Sequence, residues 1–198
     1  MNSKDKAGDG HAVVGTRTLY DGWTRFLLAD VRAPDGRVVA REIEDHGEAV
    51  AVLPFNPARK TAILVRQMRA PVLYAAKEQM TLEAIAGVIE PGERPEACAR
   101  RETREEAALE VASVQHVFTG WTMPGLSTEW MHFYLAPYSG AARADARGGV
   151  AAEHEETLAV EFSLAALARM ADAGELSDVK LLLLLQTLRL RQPGLFVD

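Results

Sequence analysis

The chain has 198 residues, of which 48% are hydrophobic, and a formal net charge of −6 at pH 7. This length and composition allow one substantial core with a small appendage, and the negative charge argues against a nucleic-acid backbone as the partner. Cys98 is the only cysteine, so no disulfide can form within the chain and a reducing cytoplasm is the expected location. Residues 1–10 lack an apolar run and are predicted to be a disordered lead-in.

Two β-hairpins are predicted in the first third of the chain. Their strands are 23–31 with 37–44, and 49–55 with 61–68. The turn sequences Ala33-Pro34-Asp35-Gly36 and Asn56-Pro57-Ala58-Arg59-Lys60 between them are typical of chain reversals. We expect residues 11–47 to form an N-terminal antiparallel β extension, and residues 48–198 to form the main domain.

The rest of the chain alternates strands and helices. The predicted strands are 81–88, 111–120, 130–138 and one ending at 161–164; the predicted helices are 96–107, 164–174 with Ser163 as N-cap, and 179–191 with Asp178 as N-cap. The stretch 71–80 is predicted to be irregular. Residues 139–152 show no hydrophobic period, which is typical of a functional lid. The pattern predicts a mixed sheet with helices on its faces.

The predicted helix 96–107 carries three carboxylates on one face. Glu102 precedes Glu105 by three residues and Glu106 by four, so the three side chains are neighbours on the helix surface. They fall in the last turns, where the helix dipole disfavours anions by about 0.3–1 kcal/mol each. Clustered oxygen ligands that repel one another are what Mg²⁺ requires. The alternative is a solvated face in which Arg100, Arg101 and Arg104 balance the charge.

A longer motif surrounds this face. Its charged and glycine positions are Gly87, Glu93, Arg101, Glu102, Glu105 and Glu106. This spacing resembles the box of the Nudix hydrolase family, which implies an α/β/α sandwich with a mixed sheet. Ala108 stands where the family usually has glycine. A left-handed backbone there would cost alanine about 1 kcal/mol, whereas a helix that continues through it would cost little.

The resemblance implies Mg²⁺-dependent hydrolysis of a nucleoside diphosphate linked to another group, with Mn²⁺ as the alternative metal. The implied metal ligands are the carbonyl of Ala86 and the carboxylates of Glu102, Glu105, Glu106 and Glu155. The implied catalytic set is Glu105, Glu106 and Glu153, with Glu153 as general base or water-orienting group. The pair Arg101–Glu93 resembles a structural ion pair that holds the loop against the helix.

Features outside the box narrow the resemblance to one branch. Pro124, the stretches ILVRQMR and LEAIAG, the acidic GGVAAEHEE and the late GELSDVK are similar to ADP-ribose pyrophosphatases and GDP-mannose hydrolases. The branch implies a homodimer in which the N-terminal β extension crosses to the partner. We expect ADP-ribose, cleaved to AMP and ribose 5-phosphate, as the substrate. The alternatives are GDP-mannose or another nucleotide sugar, and a nucleotide-sugar sensor without turnover.

Three further side chains are candidates for substrate binding. Arg66 and Arg69 follow an apolar strand, and one of them is expected to fork onto a phosphate; the alternative is that both are ordinary surface arginines. Glu83 resembles an acidic substrate or metal contact of the branch. Trp23, in the extension, could stack on a nucleobase, but packing within the hairpin or interface is the more usual role of such a residue.

Overall fold

The computed structural model describes residues 10–140, 147–148 and 157–197. The chain forms two compact units. The first comprises the described residues up to Glu48 together with Trp121–Trp130, and the second comprises Ala49–Gly120 and the described residues from Met131 onward. Residues 1–9 of the predicted lead-in lie outside the described residues. In the described part of the chain, no helix is both long and apolar enough to cross a membrane.

The first unit contains an antiparallel sheet of three strands, in the order β1-β2-β3. The strands are β1 (Ala12–Asp21), β2 (Arg25–Arg32) and β3 (Val38–Asp45). The predicted hairpin is β2–β3, paired from Arg25↔Asp45 to Arg32↔Val38. Its turn places Gly36 at φ +83°, a conformation that glycine adopts without steric cost. The prediction missed β1, because nearly all of its side chains are exposed and no alternation of buried residues marks it.

The segment Trp121–Trp130 belongs to this first unit. The Glu44 backbone N–H donates to the carbonyl of Leu126 at 2.9 Å, and the Thr128 N–H donates to the carbonyl of Glu44 at 2.9 Å. The rings of Trp121 and Trp130 pack edge to face, with centroids 4.6 Å apart. The sequence predicts a turn here, but carries no local signal for pairing with β3.

The second unit is built on one large mixed sheet. Its strands are β4 (Glu48–Asn56), β5 (Thr61–Gln67), β6 (Thr81–Glu83), β7 (Ile85–Val88), β8 (Gln115–Trp121), β9 (Trp130–Pro137), β10 (Arg147–Gly148) and β11 (Thr157–Ser163). The order is β10-β11-β5-β4-β9-β8, with β6 on β5 and β7 on β4. The pairs β10–β11, β11–β5, β4–β5, β4–β7 and β5–β6 are antiparallel. β4 and β9 run in the same direction, as the hydrogen bonds Trp130 N–H to Gly47 and Tyr138 N–H to Phe55 indicate.

Four helices accompany this sheet: α1 (Ala70–Ala76), α2 (Pro95–Ala107), α3 (Leu164–Asp172) and α4 (Val179–Arg191). Odd-numbered residues of β4, such as Leu53, pack with α3 and α4. Even-numbered ones, such as Val52, pack with Cys98 and Ala99 of α2. The sheet therefore lies between α2 on one face and α3 and α4 on the other, which confirms the predicted α/β/α sandwich.

Local signals placed the later helices correctly. The Ser163 hydroxyl accepts from the Ala166 N–H at 3.2 Å, and the Asp178 carboxylate accepts from the N–H groups of Lys180 and Leu181. Both predicted N-caps are confirmed. The prediction for 71–80 was wrong, because α1 occupies much of it. No residue of α1 is buried, so no hydrophobic period announces the helix.

Ala108 ends α2 in the left-handed conformation, at φ 50° and ψ 35°. Its N–H donates to the carbonyl of Arg104 at 2.9 Å, and the Leu109 N–H donates to Thr103. This is a C-terminal capping turn of the kind that usually has glycine. Of the two interpretations open from the sequence, the strained one is correct.

We expect Ala108→Gly to stabilise the protein by up to about 1 kcal/mol, because glycine removes the left-handed strain, although it also gains freedom in the unfolded chain. The free energy of unfolding from urea titration measures the change. The matched control is Ala97→Gly, at an exposed position in the same helix, which should destabilise by about 1 kcal/mol. Equal destabilisation by both changes would contradict the assigned strain.

Candidate active site

The carboxylate of Glu102 lies directly against the backbone of β7 at Gly87. A Cβ atom built on Gly87 would stand 2.0 Å from the Cδ and Oε1 atoms of Glu102. A side chain at this position would therefore displace the Glu102 carboxylate from its place against the strand, because real Cβ atoms do not approach other heavy atoms so closely. Gly87 follows Ala86, so this contact brings the Glu102 carboxylate beside the peptide whose carbonyl is the predicted metal ligand.

Arg101 connects the loop between β7 and α2, called here the box loop, to the acidic face of α2. Its guanidinium donates to both carboxylate oxygens of Glu93, at 3.0 and 2.9 Å, and to the carbonyl of Val88 at 3.1 Å. The predicted structural ion pair Arg101–Glu93 is confirmed. The same side chain also donates to Glu102 at 2.6 Å and to Glu105 at 3.0 Å. One cation therefore holds three carboxylates.

The three predicted glutamates differ in exposure. Glu102 is 9% exposed and Glu106 is 5% exposed, whereas Glu105 is partly exposed. The interpretation of this face as solvated is therefore wrong for Glu102 and Glu106. It is correct in one respect, because the i,i+4 pair Arg101–Glu105 is present.

Burial raises the pKa of Glu102 to about 7, although the charge and hydrogen bond of Arg101 oppose that rise. Glu105 and Glu93 add negative charge nearby and raise it further. A carboxylate in this condition gains from an added cation, because a neighbouring positive charge favours its ionised form.

The residues present fit a hard divalent cation such as Mg²⁺. The donors are carboxylate oxygens, with one carboxylate lying on the Gly87 backbone. Among the described residues, no three carboxylate, histidine or cysteine side chains are close enough to hold an ion by themselves. Mg²⁺ does not require this, because it retains several waters and uses one or two carboxylates together with substrate phosphates.

A second charged cluster surrounds Glu83, the last residue of β6. Glu83 is 4% exposed and receives a bidentate pair of hydrogen bonds from Arg69, at 2.9 and 3.0 Å. The Thr81 hydroxyl donates to it, and the Nζ of Lys180 lies 3.4 Å away. Burial acts to raise the pKa of Glu83, but Arg69 and Lys180 outweigh it and lower the pKa to about 2.

This cluster separates the two candidate arginines. The guanidinium of Arg69 is bound to Glu83, whereas the side chain of Arg66 is exposed and makes no hydrogen bond or ion pair to any of the residues the structure describes. Arg66 lies on β5, opposite Leu158 of β11. Lys180 was not assigned a role from the sequence, and Asp178 was predicted only as a helix cap. The signal for both was the late sequence GELSDVK.

The remaining predicted site residues are in other parts of the chain. Glu153 and Glu155 lie outside the described residues, as does most of the predicted lid. Trp23, in the first unit, is 76% exposed and contacts the ring of His46 edge to face at 5.4 Å. Cys98 is fully buried, and burial raises the pKa of its thiol to about 12, so it is not a nucleophile.

Comparison with known proteins agrees with this geometry. The model of the NUDIX domain matches residues 45–184, a range that contains the α/β/α sheet, the Gly87–Glu102 contact and the second charged cluster. The chain belongs to the Nudix family. This confirms the family and the hydrolase class that the box residues predicted.

The chain is similar over most of its length to proteins named GDP-mannose pyrophosphatase. One from Cronobacter sakazakii is 39% identical over 170 residues, which are 84% of this chain and 87% of the relative. One from Klebsiella pneumoniae is 38% identical over 182 residues, or 89% and 90% of the two chains. A crystal structure of an ADP compounds hydrolase superposes with a TM-score of 0.70, at 18% identity, over 93% of this chain and 95% of that one. At this identity the likeness supports the fold alone.

We expect Glu83→Gln to remove stability in a pH-dependent way. The folded-state pKa of about 2 lies below the ordinary 4.5, so ionised Glu83 stabilises the folded state above about pH 5, by about 3 kcal/mol at most. That contribution is lost as the pH falls from about 5 to 2. The difference in unfolding free energy between wild type and variant should shrink over the same window.

Urea titrations at a series of pH values measure this difference. The matched control is Glu110→Gln, which removes an exposed carboxylate and should change stability little at any pH. A wild-type advantage over Glu83→Gln that stays constant from pH 6 to pH 3 would contradict the assigned pKa.

Proposed function

We propose that this protein hydrolyses the pyrophosphate bond of a nucleoside diphosphate sugar. The observation that carries the proposal is the buried Glu102 carboxylate lying on the Gly87 backbone, in a cluster where Arg101 contacts the carboxylates of Glu93, Glu102 and Glu105. GDP-mannose is the first substrate to test, because relatives of that name cover more than four fifths of the chain. ADP-ribose, the substrate expected from the sequence, is the second.

Mg²⁺, or Mn²⁺ in its place, would be held by oxygen ligands. The proposed ligands are the carbonyl of Ala86 and the carboxylates of Glu102, Glu105, Glu106 and Glu155. When bound, the metal neutralises phosphate oxygens and lowers the pKa of a coordinated water. Arg101 keeps Glu102 and Glu105 beside each other, so the ligands are positioned before the ion arrives.

Other side chains would act on the substrate. Arg66 is the better placed of the two arginines to fork onto a phosphate, because the guanidinium of Arg69 is already bound to Glu83. Glu83 would then act at the site mainly by holding Arg69. Glu153 is proposed as the general base or water-orienting group, from the resemblance alone. A base carried on a loop would complete the site only when the substrate is enclosed.

We expect Mg²⁺-dependent release of GMP from GDP-mannose or of AMP from ADP-ribose, followed by chromatography across a panel of nucleotide sugars. Glu106→Gln should lower kcat by about 10²–10³-fold, since a lost ligand removes several kcal/mol of transition-state stabilisation. Glu110→Gln is the control and should retain full activity. Binding of nucleotide sugar without turnover at any Mg²⁺ concentration would reject the enzyme and favour the sensor.

We also propose a homodimer formed through the N-terminal β extension, residues 11–47. The support is the number of large apolar side chains that this sheet exposes: Val13, Val14, Leu19, Tyr20, Trp23, Val38 and Val39. An apolar surface of this kind on a small sheet is typical of an interface. The cytoplasmic location expected from the single cysteine stays a prediction.

Sedimentation velocity should give twice the mass of one chain at micromolar concentration. Leu19→Glu should shift the protein towards the monomer, because it places a charge among the apolar side chains. Arg17→Glu, an exposed change on the same strand, is the control and should leave the mass unchanged. A wild-type protein that sediments as a monomer throughout would exclude the dimer.

A further inference from the structure

The strand that leads into the box changes its pairing partner at Ala84. β4 and β5 pair with each other only beside their turn, at Phe55↔Ala62 and Asn56↔Thr61. Further along they separate, and the chain of β6 and β7 fills the gap between them. β6 pairs with β5 up to Val65↔Glu83, whereas β7 pairs with β4 from Val52↔Ile85. Ala84 is the residue between the two ladders.

The backbone N–H of Ala84 is bonded to a side chain of α4. Ala84 is 1% exposed, and a buried amide outside a ladder requires another acceptor. Oδ2 of Asp178 accepts it at 3.0 Å. The same oxygen accepts from the Leu181 N–H at 3.3 Å, so one carboxylate caps the helix and binds the strand switch.

Lys180 adds a second connection between α4 and the switch. Its Nζ donates to Oδ1 of Asp178 at 2.8 Å and to Oε2 of Glu83 at 3.4 Å. The side chain of Glu83 and the backbone of Ala84 are therefore both held by the first turn of α4. Arg69, which precedes Glu83 in the sequence, also binds its carboxylate. The two cations, Arg69 and Lys180, therefore balance the two carboxylates of Glu83 and Asp178.

A helix cap alone does not require this arrangement. Ser163 caps α3 with a single hydroxyl that accepts from the Ala166 N–H, and serine and aspartate are about equally good caps. By contrast, Oδ1 of Asp178 accepts from both the backbone N–H and the Nζ of Lys180. Its Oδ2 accepts from the backbone N–H groups of Leu181 and Ala84. Its carboxylate does more than end a helix.

We propose that Asp178 is a positioning residue, which fixes the backbone at the β6–β7 switch and thereby places Ala86 and Gly87 against Glu102. Ala86 and Gly87 follow the switch by two and three residues. The Glu102 carboxylate lies directly against the backbone at Gly87, so a small shift of β7 would move the carbonyl of Ala86 relative to that carboxylate. The inference rests on the proposed function, because the ligand that it positions is the proposed metal ligand.

The test is Asp178→Ser in the full chain, since serine keeps one cap oxygen for α4 but is too short to bind the Ala84 N–H as well. Calorimetric titration with Mg²⁺ and with Mn²⁺, without nucleotide, should show affinity weakened by about 10–100-fold, as for other groups that orient metal ligands. Amide hydrogen exchange should become faster at Ala84. The KM for nucleotide sugar should change little at saturating Mg²⁺.

The matched control is Ser163→Ala, which removes the cap of α3 and leaves the switch untouched. It should bind Mg²⁺ and Mn²⁺ like the wild type and keep Ala84 protected. If Asp178→Ser fails to fold, Asp178→Asn takes its place; it keeps the volume and one acceptor oxygen, and presents an amide donor to either Lys180 or Ala84.

Metal affinity that is unchanged in the Asp178 variant, with or without faster exchange at Ala84, would overturn the inference. Equal loss in Ser163→Ala would also overturn it, because the loss would then reflect helix stability in general. If the wild type hydrolyses nucleotide sugars and the Asp178 variant binds metal as tightly as the wild type, only the positioning role is rejected. A wild-type protein that binds no divalent ion rejects the proposed function and this inference together.

Discussion

The close approach of the Glu102 carboxylate to the Gly87 backbone is the constraint on which the rest of the second unit depends. This approach uses the space left by the absent side chain of Gly87, a helix close against the sheet, and a cation near a buried negative charge. Arg101 supplies that cation, and by also binding Glu93 and Val88 it ties the box loop to α2. A carboxylate without these partners would be costly to bury.

Two charged clusters flank the chain of β6 and β7: one around Glu102 on the α2 side, and one around Glu83 and Ala84 beside the first turn of α4. On the α2 side, Arg101 contacts three carboxylates, those of Glu93, Glu102 and Glu105, and the guanidinium of Arg104 lies 3.9 Å from Glu105. On the α4 side, two cations face two carboxylates. The cluster at α2 therefore has one carboxylate more than it has arginines, whereas the cluster at α4 is neutral.

Signals close together in the sequence predicted much of this structure. The turns around Gly36 and Asn56, the caps Ser163 and Asp178, and the carboxylate spacing on α2 were all readable, because each is encoded within a few residues. The strand β1 and the helix α1 were not, since neither buries a face that would impose a period. An element whose side chains are mostly exposed leaves no hydrophobic period in the sequence from which it could be predicted.

Contacts between residues far apart in the sequence were also not predicted. Lys180 and Glu83 are 97 residues apart, and nothing near either one indicates the other. The change of partner at Ala84 is equally hidden, since 81–88 reads as one continuous strand. The acidic face was predicted as a site, but its burial and its shared arginine depend on how α2 packs on the sheet, and a spacing rule cannot supply that.

The first unit is assembled from two separate stretches of chain, and this limits how the protein can be divided. Glu44 exchanges backbone hydrogen bonds with Leu126 and Thr128, so a cut near residue 48 would strip partners from a loop that lies between two strands of the large sheet. A fragment made by removing the N-terminal residues would retain Trp121–Trp130 without the β3 residues that it bonds to. Its indole rings would be more exposed, and backbone groups such as the Thr128 N–H would lose their partners. Recombination between relatives faces the same rule: the extension and this loop must be inherited as a pair.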